Sequence, residues 1–332
     1  MATLQLTAEV CPVVVYLDQN KWIEIASEVK SRAVAHLVDI LLEKIAGGRL
    51  VIPLTATNIF ETSKINDTDR RRRLADIQSR LCRGIVFRGR HARLEVEVAQ
   101  CLLSGQSEVD NSDYWFLSSN FIEAFADVTD SRFENSSFLR TDILIRESAG
   151  SALCSYLLDQ DDERRRESVR RFSLGSKELA ARVENRRTHS AGASILERRR
   201  LYRATLLIDE MNKVLKIANS LGLHCDSVLD IGKDNLIRLM KECPIYDIET
   251  ELALKIESQN RKICENDFRD MQTYCCAIRY SDILVGERQF VNIARQAHLH
   301  EKYNCRMLTE ITELGAAIET LSSKHAHALQ AR

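Results

Sequence analysis

Five carboxylates in this chain occupy positions from which acids do chemistry. Asp18 directly follows the apolar run Val13 to Leu17, and Glu61 stands seven residues past a second apolar run ending at Leu54. Asp267 and Asp270 open a helical pattern, and Glu287 comes two residues after the run Ile283-Leu284-Val285. An acid just beyond the carboxyl end of a buried parallel strand sits where open α/β sheets bind ligands. Four such groups facing one pocket would push each other's pKa values up unless a cation neutralised them. An all-oxygen donor set favours Mg²⁺ or Mn²⁺ over zinc. An ion so held acidifies bound water and stabilises charge developing on a phosphoryl group, so no covalent nucleophile is needed. Each acid also has an ordinary structural role open to it. Asp18 can cap the following helix, Asn58 and Glu61 fit an N-cap and N3 pair, and Asp267 with Asp270 suits the dipole of a first helical turn. Asp282 suits a turn before a strand.

These acids need elements to position them, and the hydrophobic pattern supplies candidates. Val13-Val14-Val15-Tyr16-Leu17 is an unbroken apolar, β-branched run, the pattern of a strand buried on both faces. After Asp18-Gln19-Asn20, apolar residues recur at spacings of three and four from Trp22 to Ile45, which predicts one helix closed by Gly47-Gly48. Leu50 to Leu54 predicts a second strand, and Asn58-Ile59-Phe60-Glu61 the opening of a second helix. Strand, helix, strand, helix means a βαβ unit and a parallel sheet. From about Asp67 to Lys241 no strand pattern stands out, and helical spacing is clearest from Leu206 to Leu221. The α/β pattern then returns with a helix from Asn266 to Ile278, a strand from Asp282 to Val285, a helix from Phe290 to Ala297 and a strand from Cys305 to Leu308. The expectation is an α/β chain whose parallel-sheet domain is assembled from both chain ends, 1–66 and 242–332, around a large all-α insertion over 67–241.

At the strand ends the sequence resembles a known family. Val14-Val15-Tyr16-Leu17-Asp18-Gln19-Asn20-Lys21-Trp22-Ile23 resembles the opening strand and turn of PIN-like nuclease domains. Asn266-Asp267-Phe268-Arg269-Asp270-Met271-Gln272, followed by the segment from Tyr280 to Phe290, resembles the acidic C-terminal helix and following strand of the same fold. The resemblance covers residues 10–66 and 243–320 and leaves the middle uncovered. It implies a metal-dependent endonuclease that hydrolyses phosphodiester bonds in RNA, less often DNA, leaving 5′-phosphate and 3′-hydroxyl ends. Carried over by position, it implies Asp18, Glu61 and Asp270 as core metal ligands, with Asp267 as the alternative to Asp270 and Asn20 orienting Asp18 or a bound water. Glu287 stands where this superfamily usually has Asp, so its longer side chain would reach an ion through water. A role as toxin or defence effector follows from family analogy alone. The competing readings are an inactive, nuclease-derived binding or scaffold protein and a DNA-directed nuclease.

Composition bounds these readings. With 332 residues, 45 % hydrophobic, 12 Gly and 3 Pro, the chain is globular and helix-rich, and a pure β-sandwich is excluded. Ten scattered cysteines without a C-x-x-C pair read as reduced thiols of a cytoplasmic protein. No window reaches the length of a membrane span, and no Walker A or dinucleotide glycine motif occurs. His298 and His300 have no zinc-site partners at suitable spacing. The 47 basic and 48 acidic residues nearly cancel, but they are segregated. Nine arginines stand against one acid between Arg70 and Arg93, whereas Leu94 to Ser131 carries eight acids and no Lys or Arg. An acidic metal site repels a polyanion, so a nuclease needs positive surface nearby. Arg70, Arg71, Arg72, Arg73, Arg80, Arg88 and Arg90 are therefore the expected phosphate contacts, extended by the triplets 164–166 and 198–200. The acidic block could mask that surface, within the chain or across a homo-oligomer formed by the insertion, and a regulatory protein is a further expected partner.

Overall fold

The computed structural model describes residues 11–29, 31–103, 114–125, 145, 148–159, 162–190 and 192–321. The first part of the chain forms β1 (Val13–Leu17), α1 (Gln19–Ala26), α2 (Arg32–Ala46), β2 (Leu50–Val51), α3 (Ala56–Ser63), α4 (Thr68–Cys82) and β3 (Val86–Phe87). There follow α5 (Arg90–Leu102), β4 (Leu117–Ser118), α6 (Ala149–Asp159), α7 (Asp162–His189), α8 (Ile195–Ser220), α9 (Lys233–Glu242) and α10 (Pro244–Glu257). The C-terminal part forms α11 (Glu265–Tyr280), β5 (Ile283–Val285), α12 (Arg288–Gln296), α13 (Leu299–Lys302) and β6 (Arg306–Leu308).

Four strands make a parallel sheet in the order β2-β1-β5-β6, so both ends of the chain build it, as the hydrophobic runs predict. All five residues of β1 are buried, which is why that run needs no polar alternation. Burying a Val or Leu side chain there contributes about 1.5–3 kcal/mol. The pairing sets Leu17 beside Val285, so the carboxyl ends of β1 and β5 lie abreast. From β1 the chain moves to one neighbour, β2, and later fills the other side with β5. The order reverses between β1 and β5, which makes their carboxyl ends the topological switch point of the sheet.

Three local expectations change. The helix predicted from Trp22 to Ile45 is two helices, because Ser31 accepts the Val34 N–H at 3.2 Å and starts α2 afresh. The helix predicted to open at Asn58 starts earlier: Thr55 is its N-cap and Asn58 its N3 residue in a reciprocal capping box. Glu61 therefore takes no part in the cap. The strand-free middle also contains two short strands, β3 and β4, paired antiparallel. Runs of two residues are too short to give a periodic signal.

The chain divides into two compact units: Met1–Gly89 with Tyr114–Phe172 and Ala277–Arg332, and Arg90–Asp113 with Ser173–Cys276. The segment 67–241, expected as one helical insertion, is thus shared between them. The reason lies in α4, whose Leu74, Ile77 and Leu81 join the same core as Val15, Leu17, Trp22 and Leu41. Helix α6 packs against α4 within this first unit. The second unit is helical, with α5, α8, α9 and α10 packed on one another. Its ion pairs include Arg199 with Glu251 and Arg90 between Glu210 and Glu249.

Candidate functional site

The site begins with one residue that serves two purposes. Asp18 ends β1 and caps α1, its Oδ1 accepting the Gln19 N–H at 2.8 Å. Its own N–H donates to the Val285 carbonyl at 2.9 Å, which fastens it to β5. Oδ2 accepts the Glu287 N–H at 3.3 Å, and the Tyr16 hydroxyl reaches Oδ1 at 3.5 Å. Asp18 and Glu287 are therefore brought together at the sheet's switch point. Burial pushes the Asp18 carboxyl above its ordinary range, against the backbone N–H groups of Gln19 and Glu287, and the Glu287 charge adds to the rise. Glu287 itself is exposed at the start of α12, and Asn20 is exposed in the first turn of α1.

A buried polar relay fixes the next element. The Gln19 side chain donates to Thr62 Oγ1 at 3.0 Å and accepts from Asn58 Nδ2 at 3.3 Å. Thr62 in turn donates to Gln78 Oε1 at 2.9 Å, and Asn58, Thr62 and Gln78 are fully buried. Helix α3, which carries half-buried Glu61 beside Thr62, is thereby tied to the residue that follows Asp18. Sequence reasoning missed this relay. Thr55-x-x-Asn58 was a readable capping signal, but nothing in the sequence links Gln19 to Thr62 or Gln78.

Asp267 and Asp270 belong to the second unit. Asp267 is 4 % exposed, is paired with Arg261 and accepts the Cys264 N–H at 2.8 Å. Burial would raise its pKa, but the Arg261 guanidinium and these hydrogen bonds outweigh it and hold the carboxyl below its usual range. Asp267 thus serves the start of α11 by accepting the Cys264 N–H, and it also pairs with Arg261, which the sequence pattern did not indicate. Asp270 is half-buried in the second turn of α11. Asp282 works at the other end of the strands: its Oδ2 accepts the Val14 N–H at 2.8 Å, so it serves as a β1–β5 tie.

The arginines expected on phosphates divide in two. Arg71 is buried and donates to the Ile65 carbonyl at 2.6 Å, Arg88 is buried against Glu123 at 3.3 Å, and Arg90 holds Glu210 and Glu249. These three are turned inward, and so is Arg165 of the 164–166 triplet, which holds the Ser63 carbonyl and Asn66. The Arg164 side chain and much of the acidic block, 104–113 and 126–131, lie outside the described residues. On the surface stand Arg70, Arg72 with Asp69, Arg73 with Glu28 and Arg80 with Asp76. Exposed pairs of this kind contribute about 0–1 kcal/mol, so a phosphate can compete for these guanidinium groups.

Among the described residues, no three His, Cys, Asp or Glu side chains gather around one ion-sized position. Asp18 meets Glu287 through the Glu287 backbone N–H, and the Glu287 charge is felt at the Asp18 carboxyl. No described helix is long and apolar enough to cross a membrane. The class that fold and site define is a helix-rich α/β protein with acids at the switch point of a four-stranded parallel sheet. No protein family, curated protein or solved structure matches the chain.

Proposed function

We propose that this protein is a PIN-like, divalent-metal-dependent endonuclease that hydrolyses phosphodiester bonds in RNA. One observation carries the reading: Asp18 and Glu287 meet where the strand order reverses, and the Asp18 carboxyl is half-buried beside a second acid. A parallel sheet drawn from both chain ends supports it, as do the motifs around Asp18 and Glu287.

In this reading Asp18 and Glu287 hold Mg²⁺ or Mn²⁺, with Glu61 next in line on the tethered α3. A bound ion would neutralise phosphoryl charge and make its water acidic. The chain's own work is positioning. The Gln19 and Glu287 N–H groups fix both Asp18 oxygens, so the carboxylate pays no further ordering cost when a cation arrives. Asn20, in the first turn of α1, offers an amide to the water or to the substrate. Arg70, Arg72, Arg73 and Arg80 would meet the phosphates next to the cleaved bond.

The test is cleavage of matched RNA and DNA oligonucleotides by the purified protein in Mn²⁺, with EDTA as control. Expected are RNA cuts with 5′-phosphate ends that vanish with EDTA and fall roughly 100-fold in Asp18→Asn and Glu287→Gln. DNA cleavage alone would change the substrate class. Nucleic-acid binding without turnover would favour the scaffold reading, and wild-type rates in Asp18→Asn would end the proposal.

A further inference from the structure

Helix α5 carries Glu97 and Cys101 four residues apart, so both side chains lie on one face. Against that face sits Cys243, the residue before Pro244 at the start of α10, with no solvent exposure. The Cys243 thiol donates to Glu97 Oε2 at 3.7 Å. Glu97, itself 1 % exposed, also accepts the Ile245 N–H at 2.7 Å, which holds its carboxylate in place. Cys101 lies on the same face of α5, one turn beyond Glu97, close enough to Cys243 for each thiol to shift the other's acidity. The Cys101 carbonyl is held by Arg238 Nη2 at 3.0 Å. Cys101 is half-buried, whereas Cys243 is fully buried.

We propose that Cys101 and Cys243 form a peroxide-reactive pair in which Cys101 attacks a hydroperoxide and Cys243 resolves the product as a disulfide. The Cys101 thiolate attacks one peroxide oxygen, the O–O bond breaks, and a sulfenic acid and hydroxide form. Cys243 sulfur then attacks the Cys101 sulfur, forming the S–S bond and expelling the sulfenic oxygen. The Cys243 proton passes by way of Glu97 to the departing hydroxide. In sum, two thiols and one hydrogen peroxide give one disulfide and two waters; the sulfurs lose two electrons and the peroxide gains them. The acidities match the roles. The neighbouring Cys243 thiol lowers the Cys101 pKa when its S–H turns from Glu97 to the Cys101 sulfur, with help from Arg238 against burial, Glu97 and Glu242. Burial holds Cys243 well above the ordinary thiol range, so it remains a thiol until Cys101 is oxidised.

This inference is independent of the nuclease reading and needs no activity to test. The protein is treated with stoichiometric hydrogen peroxide, the peroxide is removed, free thiols are blocked with N-ethylmaleimide in denaturant, and peptides are mapped by mass spectrometry. Expected is the loss of two alkylatable thiols per chain and a Cys101–Cys243 cross-linked peptide pair, two hydrogens lighter than its halves and released by dithiothreitol. In Cys243→Ser the Cys101 sulfenic acid accumulates and is trapped by dimedone; Cys101→Ser shows neither product. If Cys243→Ser does not fold, the wild-type peptide map decides by itself. The proposal is overturned if Cys101 stays alkylatable at doses that oxidise exposed Cys11 and Cys264, or if Cys101 cross-links to any other cysteine.

Discussion

Asp18 shows how a structural and a functional reading can both hold for one residue. Its carboxylate caps α1, yet the same side chain is half-buried beside Glu287, with a pKa raised first by that burial. The consequence for stability has a definite sign. Below the unfolded value of 3.8, the carboxyl is protonated in both states and costs nothing. As pH rises above 3.8 the unfolded chain ionises first, so stability falls until the folded carboxyl has ionised as well, and the penalty persists at neutral pH. Asp18→Asn, which keeps an oxygen for the Gln19 N–H, is therefore expected to raise stability at neutral pH by on the order of 1 kcal/mol. The gain should disappear in acid below 3.8. Thermal melts across that range check it, and equal melting temperatures for the two proteins at neutral pH would refute it. Asp267 differs although its sequence setting looked similar. Arg261, six residues earlier, engages it directly, and no periodicity in the sequence could disclose that pairing.

At the scale of elements, strand existence was legible because β1 and β5 are continuous apolar runs, with only Arg306 interrupting the pattern in β6. Helix boundaries were less so. The α1–α2 break rests on the Ser31 cap, and the α3 start on Thr55, each a single hydrogen-bonding side chain set against a strong apolar pattern. The link from α4 to β3 hinges on Gly84, which adopts φ +76° and lies so close to the start of α6 that an added Cβ would stand 2.4 Å from the Ala149 carbonyl carbon. Backbone strain and backbone collision act together there. Gly84→Ala is expected to cost more than about 2 kcal/mol. Gly48→Ala, at φ +66° with open space around it, should cost less. Urea unfolding of the two variants compares them, and a larger loss at Gly48 would contradict the packing argument.

For the molecule as a whole, the candidate site predicts a ligand-linked gain in stability. A cation that binds the folded site and not the unfolded chain adds about 2.7 kcal/mol at a hundredfold excess over its Kd. Melting temperature should therefore rise with Mn²⁺ in the wild type and not in an Asp18→Asn, Glu287→Gln double variant. An equal rise in both would place any bound ion elsewhere. A net charge of −1 said little because it averages over arginines with different duties. Arg71, Arg88 and Arg90 satisfy internal carbonyls and carboxylates, while Arg70 and Arg72 face water. Linear spacing records that arginines are clustered, but burial sorts their duties, and burial depends on which helix each one packs against.

The sequence by itself determined the α/β class, the parallel sheet drawn from both chain ends and the acid after β1, because each is written in local patterns of apolarity, turn residues and charge. Tertiary structure alone decided that Asp18 meets Glu287, that Gln19 is tied through Thr62 to Gln78, and that Asp267 serves Arg261. It also decided the division of the helical middle between two units. Residues 269 positions apart become neighbours only when β5 pairs beside β1, and that long-range pairing has no periodic trace in the chain.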